Sequence, residues 1–172
     1  MKQHHVFSFL QRMGKSFMLP IAVLPVAGIF LGVGSSLTNE TTIASLHLGS
    51  VLGNGTFLYS VLILLKKVGN ILFDNLPLIF AVSIALGMSK RRKEVAALAA
   101  IIAFFVMHAT INALLCLDGS IVNGVVSDQA LDGSITSVCG MLSLEMGVFG
   151  GIVVGLGVSY LHNRFTRFNC QV

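Results

Sequence analysis

The polar side chains that interrupt or border the long apolar segments are the candidates for chemistry in this sequence. They are Asp74, Asn75, His108, Asn112 and Glu145. If the long apolar segments cross a membrane, an ionisable group within them is energetically costly, and such residues are functional candidates by default. Solvation at a helix end is the alternative for Asp74 and Glu145. His108 and Asn112 are four residues apart on one helix face. They could form a ligand pair, a proton relay or a buried interhelical hydrogen bond.

The sequence contains no pattern typical of an enzyme active site, a metal centre or a cofactor site. There are no paired carboxylates, no metal-ligand spacing and no nucleophile triad. Gly14-Lys15-Ser16 looks like the end of a phosphate-binding loop, but Phe9 stands where that loop requires its first glycine. Cys116, Cys139 and Cys170 are isolated and odd in number, which indicates reduced thiols with a minor structural role. We therefore expect no catalytic residues, no metal and no cofactor.

The composition is that of an integral membrane protein. Of the 172 residues, 55% are hydrophobic and 10% are charged, and the mean hydropathy is +0.88. Soluble domains carry roughly 25% charged residues, so this chain is too poor in charge to cover a water-exposed surface. The net charge of +4 is carried at segment ends and not along one face, which argues against nucleic acid as a partner.

The positions of the basic residues predict how the apolar segments cross the membrane. A basic cluster, Lys90–Lys93, separates the apolar segments 76–88 and 95–115. This pattern is typical of a helical hairpin whose turn lies at the cytoplasmic surface. Residues 17–37 are the first predicted span and residues 138–161 the last. The connections between spans on the other side contain no Lys or Arg and are expected to be external.

Residues 56–73 allow two interpretations, a span or a helix lying on the membrane surface. Their polar side chains recur at helical spacing on one stripe, as in an interfacial helix. If residues 38–55 are external, the chain must cross the membrane once before the basic cluster for that cluster to lie on the cytoplasmic side. We therefore predict an all-α membrane bundle of about four spanning helices plus one interfacial helix, with both termini cytoplasmic.

Two sets of glycines have the spacing of helix-packing positions. Gly28 and Gly32 form a Gly-x-x-x-Gly pair in the first predicted span, and Gly147, Gly151 and Gly155 form a ridge in the last. Small residues at such spacing let two helices approach closely in a membrane. We expect these glycines to pack helices and to contribute to a dimer contact.

Three blocks in order resemble the sugar-permease (EIIC) domain of the bacterial phosphotransferase system, in its glucose, maltose and N-acetylglucosamine group. They are residues 14–28, beginning Gly-Lys-Ser-Phe-Met-Leu-Pro, residues 75–82, and residues 146–155 with their continuation through 161–165. Residues 1–15 are predicted from their composition to form an amphipathic basic arm. The resemblance implies a partial EIIC domain at 16–167 followed by a divergent tail at 168–172. Features shared with glucose- and maltose-type permeases are Ser143–Gly147 and the long connection before Asp74.

The resemblance implies sugar uptake across the inner membrane, coupled to phosphorylation by an EIIB partner domain that carries a phosphocysteine. It implies that the sugar-binding and phosphate-relaying residues of the family follow the part matched here, so none is expected among these residues. Cys170 lacks the sequence context of the partner domain's phosphorylated cysteine. The chain is then expected to be the scaffold and dimerisation half of a permease, truncated and not competent for transport alone.

A half-permease that pairs with a full-length EIIC and regulates it is the alternative from another functional class. A small channel or an unrelated helical bundle is a third, against which the order of the three blocks argues.

Overall fold

The computed structural model describes residues 2–45, 55–127 and 134–168. In chain order the elements are α1 (Lys2–Ser16), α2 (Met18–Leu37), α3 (Glu40–Ser45), α4 (Phe57–Asp74), α5 (Leu76–Met88), α6 (Lys93–Leu117), β1 (Ile121–Val122), β2 (Val125–Val126), β3 (Ile135–Val138), β4 (Met141–Leu144) and α7 (Gly147–Phe168). The predicted fold class, a helical membrane-type bundle, is confirmed. The predicted divergent tail at 168–172 lies outside the described residues from 169 onward, and so does part of each predicted external connection.

Two helical segments are individually long and apolar enough to cross a membrane. They are Phe7–Leu37 and α6, and the pair α4 and α5, broken at Asn75, would be a third if it forms one span. The apolar part of α7 ends at Leu161, because His162, Asn163 and Arg164 follow. It is thus shorter than the roughly 20 residues of a typical span. The expected four crossings and the interfacial position of α4 stay predictions.

The region before α7 corrects the predicted boundary of the last helix. Residues 138–144 were expected to begin a spanning helix, but they belong to the β3–β4 hairpin, in which Ile135 pairs with Leu144 and Val138 with Met141. The turn residues Cys139 and Gly140 have φ angles of 51° and 84°. Positive φ at both central residues is the geometry of a tight hairpin turn whose twist matches the strands. A helix cannot continue through such a turn.

By its contacts the chain divides into two compact units, residues 1–20 with 75–172 and residues 21–74. In the first unit α5 lies at the centre and packs against α1, α6 and α7. Its side chains Ala81, Ile84 and Ala85 are completely buried. Ala96 and Ala100 of α6 are also completely buried. Small side chains at buried positions allow helix backbones to approach closely.

In the second unit, α2 and α4 approach each other through one glycine on each helix. A Cβ atom added to Gly34 would lie 2.6 Å from the backbone nitrogen of Lys66, and one added to Gly69 would lie 2.7 Å from that of Leu31. Residue numbers rise along α2 as they fall along α4, so the two helices are antiparallel. Each glycine therefore makes room for the backbone of the other helix, a close approach that any side chain would prevent.

Candidate functional site

The polar residues of α6 lie beneath the β3–β4 hairpin. His108 is 2% exposed, and its Nδ1 shares a hydrogen bond of 2.7 Å with Oγ of Ser143, which is completely buried in β4. Its ring also makes an edge contact with Phe104, with 4.5 Å between the ring centroids. Buried polar groups are costly unless they are paired. The His108–Ser143 pair therefore anchors β4 to the middle of the first unit.

Two further hydrogen bonds attach the same hairpin to the helices. The side-chain Nδ2 of Asn112 donates to the carbonyl oxygen of Leu142 at 2.6 Å. At the hairpin turn, Sγ of Cys139 donates to Oδ1 of Asn75 at 3.4 Å. Asn75 stands immediately before α5, so the hairpin is fixed to two helices at once. Three of the five polar candidates, Asn75, His108 and Asn112, are thus brought together by one hairpin.

At the opposite end of α5, the basic turn between α5 and α6 is held by two residues of α7. Asn163 donates from Nδ2 to the carbonyl oxygen of Met88 at 3.1 Å and accepts from the backbone nitrogen of Lys90 at 2.9 Å. Nε2 of the neighbouring His162 donates to the carbonyl oxygen of Arg91 at 2.8 Å. These bonds satisfy backbone groups at a helix end, which would otherwise lack partners. Neither His162 nor Asn163 was predicted to make a contact, although both lie in a polar run that ends an apolar helix.

The glycine ridge of α7 meets α5 at two of its three positions. A Cβ atom on Gly151 would collide with the carbonyl oxygen of Pro77, and one on Gly155 would lie 2.7 Å from the carbonyl oxygen of Ala81. Gly147 has a φ of +52° at the start of α7, and an added Cβ there would meet nothing within 4 Å. Gly147 therefore lies in a turn conformation, while Gly151 and Gly155 lie in the helix contact.

The remaining candidates do not join these clusters. Asp74 is exposed at the end of α4, and Glu145 is exposed between β4 and α7. Gly28 and Gly32 are exposed on α2, with nothing within 4 Å of an added Cβ. The dimer role expected for these two glycines stays a prediction.

The described residues contain no group of three His, Cys, Asp or Glu side chains that could hold a metal ion. The polar side chains His108, Asn112 and Cys139 form hydrogen bonds to other side chains or to the backbone. The ring of His108 is buried among these contacts. Their arrangement is that of a scaffold in which polar pairs fix a hairpin and a turn to apolar helices. Fold and site together define an integral membrane helical protein.

Comparison with known proteins identifies the family within that class. Residues 14–172 match the family described as phosphotransferase system, EIIC, and the chain belongs to this family. The resemblance detected in the sequence is thus confirmed.

Two relatives show which members of the family are similar. The chain is 38% identical over 160 residues to the PTS system glucose-specific EIICBA component of Staphylococcus saprophyticus, covering 93% of this chain and 22% of that protein. It is 36% identical over 162 residues to the PTS system maltose-specific EIICB component of Escherichia coli, covering 93% of this chain and 29% of that protein. The chain therefore spans less than a third of the length of either relative.

The partial burial of Cys139 in the hairpin turn predicts slow modification of its thiol. Burial raises the pKa of Cys139, so the thiol stays protonated to a higher pH, and the thiolate is the reactive form. We expect N-ethylmaleimide at about pH 7.5 to modify Cys139 roughly tenfold more slowly than the exposed Cys116. Modification of Cys139 should accelerate as the pH rises. Mass spectrometry of peptides after timed labelling in detergent measures both rates, and equal rates would show that the hairpin turn is open.

Proposed function

We propose that this chain supplies the N-terminal membrane part of a glucose- or maltose-type sugar permease, in which uptake across the inner membrane is coupled to phosphorylation by an EIIB domain. The observation that carries the proposal is the family match over residues 14–172. The names of the two relatives add glucose, maltose and an attached B component. An EIIB domain and a sugar are accordingly the proposed partners, and the chain alone is proposed not to transport.

The proposed orientation places both termini in the cytoplasm. Its support is that the turn Lys90–Lys93 and the end of α7 are joined by the bonds of His162 and Asn163. Two clusters of basic residues thereby lie at one end of the first unit, and an excess of Lys and Arg marks the cytoplasmic side of membrane proteins. The β3–β4 hairpin, fixed at the other end of α5 by Asn75, is then external.

The roles proposed for the individual residues are structural. Asn75, His108 and Asn112 hold the external hairpin to the helices, and Gly151 and Gly155 set the distance between α7 and α5. Sugar recognition is assigned to segments of the permease beyond the part matched here. Asp74 and Glu145, both exposed at helix ends, are proposed to be solvated and not to bind sugar.

A chimaeric permease tests this proposal. Residues 14–172 replace the corresponding part of the S. saprophyticus relative, and the product is expressed in bacteria that lack their own glucose and maltose permeases. We expect uptake of labelled glucose with accumulation of the phosphorylated sugar, whereas the 172-residue chain alone gives the rate of the empty vector. A chimaera that reaches the membrane but transports neither glucose nor maltose contradicts the proposal. Uptake by the chain alone contradicts its dependence on further segments.

Pairing with a second permease subunit is the alternative function. It is favoured by Gly28 and Gly32, whose exposed positions on α2 leave room for another helix. In this case the chain should co-purify with a full-length EIIC or with a second copy of itself. Gly28→Leu with Gly32→Leu should abolish the association. Retention of the complex by this double variant would exclude the glycine pair as its contact.

A further inference from the structure

We propose that the basic end of the first unit binds the headgroups of anionic phospholipids. The surface concerned, called the basic belt below, consists of Arg12, Lys15, Lys90, Arg92 and Lys93. All five side chains are exposed. The inference goes beyond sugar uptake and is independent of it.

The packing of α1 on α5 brings the two parts of the basic belt to the same end. Ser16 lies against Gly87, where an added Cβ would collide with the Ser16 hydroxyl. The ring of Phe17 lies 5.7 Å from that of Phe80. From Ser16 to Phe17 the chain therefore moves toward the start of α5. Lys15 and Arg12, which precede Ser16, lie toward the end of α5, where the basic turn follows.

The charge of this end is strongly positive. The neighbouring charged or titratable residues among the described ones are Arg91, Glu94, His162 and Arg164, and Glu94 is the one acid. Clusters of this size beside a membrane-spanning helix attract anionic lipids, and each Lys or Arg near the surface strengthens binding about fivefold. The positive charge of the basic belt therefore favours a ligand that carries negative charge.

The apolar neighbours of the basic belt select a lipid over a soluble anion. Met18 and Leu19, which follow Lys15, are 67% and 58% exposed, and Val95, which follows the basic turn, is 47% exposed. Phe165 on α7, next to the residues that hold the turn, is 69% exposed. Each cationic segment therefore continues into an exposed apolar surface. A ligand that satisfies both carries a negative headgroup joined to hydrocarbon chains.

The basic turn is also fixed before any ligand binds. Arg92 has a left-handed backbone with a φ of 45°, and the bonds from Asn163 and His162 hold the residues on its N-terminal side. A turn fixed in this way presents Lys90, Arg92 and Lys93 without the entropy loss of ordering a flexible loop.

The test measures lipid affinity by native mass spectrometry of the full chain in detergent, titrated with phosphatidylglycerol or with phosphatidylcholine. We expect preferential binding of phosphatidylglycerol. Lys90→Gln with Lys93→Gln should weaken it about 25-fold, from a factor of about five for each lysine. Lys90→Arg with Lys93→Arg should keep the affinity. Lys15→Gln, on a different helix, should weaken it about fivefold and remains informative if the turn variant fails to fold.

The control is Thr110→Ala, at an exposed and uncharged position of α6, which should leave the affinity within about twofold. Equal affinity for both lipids, or an unchanged affinity in the turn and Lys15 variants, overturns the proposal. Displacement of phosphatidylglycerol by excess inorganic phosphate would identify a site for free phosphate instead. If the turn variant keeps its lipid affinity but loses binding to a phosphorylated EIIB domain, the basic belt is a protein-docking surface and the proposal is wrong.

Discussion

Replacing Gly151 by alanine should lower the free energy of unfolding by about 1–3 kcal/mol, the range typical of overpacked cores. The added methyl group would collide with the carbonyl oxygen of Pro77, which is backbone and cannot rotate away. Helix α7 would have to move off α5, and the burial of Ala81 and Val154 between them would be reduced. The measurement is SDS-induced unfolding of the purified chain in dodecyl maltoside micelles, followed by far-ultraviolet circular dichroism.

Gly157→Ala is the matched control, because Gly157 lies on the same helix and has nothing within 4 Å of an added Cβ. Alanine favours a helix over glycine by about 1 kcal/mol, so this variant should be unchanged or slightly more stable. If the two variants unfold at the same SDS fraction, α7 does not approach α5 through Gly151.

Replacing His108 by alanine should destabilise the chain by about 2–4 kcal/mol, because it combines a cavity with an unpaired buried hydroxyl. Ser143 would lose its partner, and Phe104 would lose the ring that packs against its edge. The hairpin should then loosen, and Cys139 should react faster with N-ethylmaleimide. SDS unfolding and thiol labelling of the same variant measure both effects.

A double-mutant cycle separates the hydrogen bond from the cavity. Ser143→Ala alone and together with His108→Ala gives a coupling energy, expected to be about 1 kcal/mol for a buried hydrogen bond. Thr110→Ala, on an exposed position of α6, should change stability by less than about 0.5 kcal/mol. A coupling energy of zero would show that His108 and Ser143 do not interact, whatever the cost of the single variants.

The hydrogen bonds of the polar side chains explain why such residues occur in so apolar a chain. Asn112 pairs with a backbone carbonyl of the β3–β4 hairpin, and Asn163 pairs with a backbone carbonyl at the end of α5. Unsatisfied backbone groups are expensive in a membrane, so these side chains stabilise connections that helices alone could not supply. One interpretation of His108 was a buried interhelical hydrogen bond. The hydrogen bond is indeed buried, but its partner Ser143 lies in a strand and not in a helix.

The class of protein and the positions of several helices could be predicted from the sequence alone. Apolar runs bounded by charged residues indicate where a membrane helix begins and ends, because uncompensated charge is excluded from the bilayer. The helix predicted over 76–88 is observed with the same bounds. The three family blocks likewise depended only on the order of residues.

The partners of the helices were decided by the tertiary structure. Gly28 and Gly151 have the same local spacing, yet only Gly151 meets a neighbouring backbone, because spacing defines a face without saying what lies opposite. Asn163 contacts Lys90 across 73 positions of the sequence, and such a pair exists only once α7 lies along α5. The β3–β4 hairpin was missed because its Ile and Val residues continue into the apolar run of α7. In this protein local polarity sets the elements, whereas close backbone approach and the pairing of buried polar groups set their arrangement.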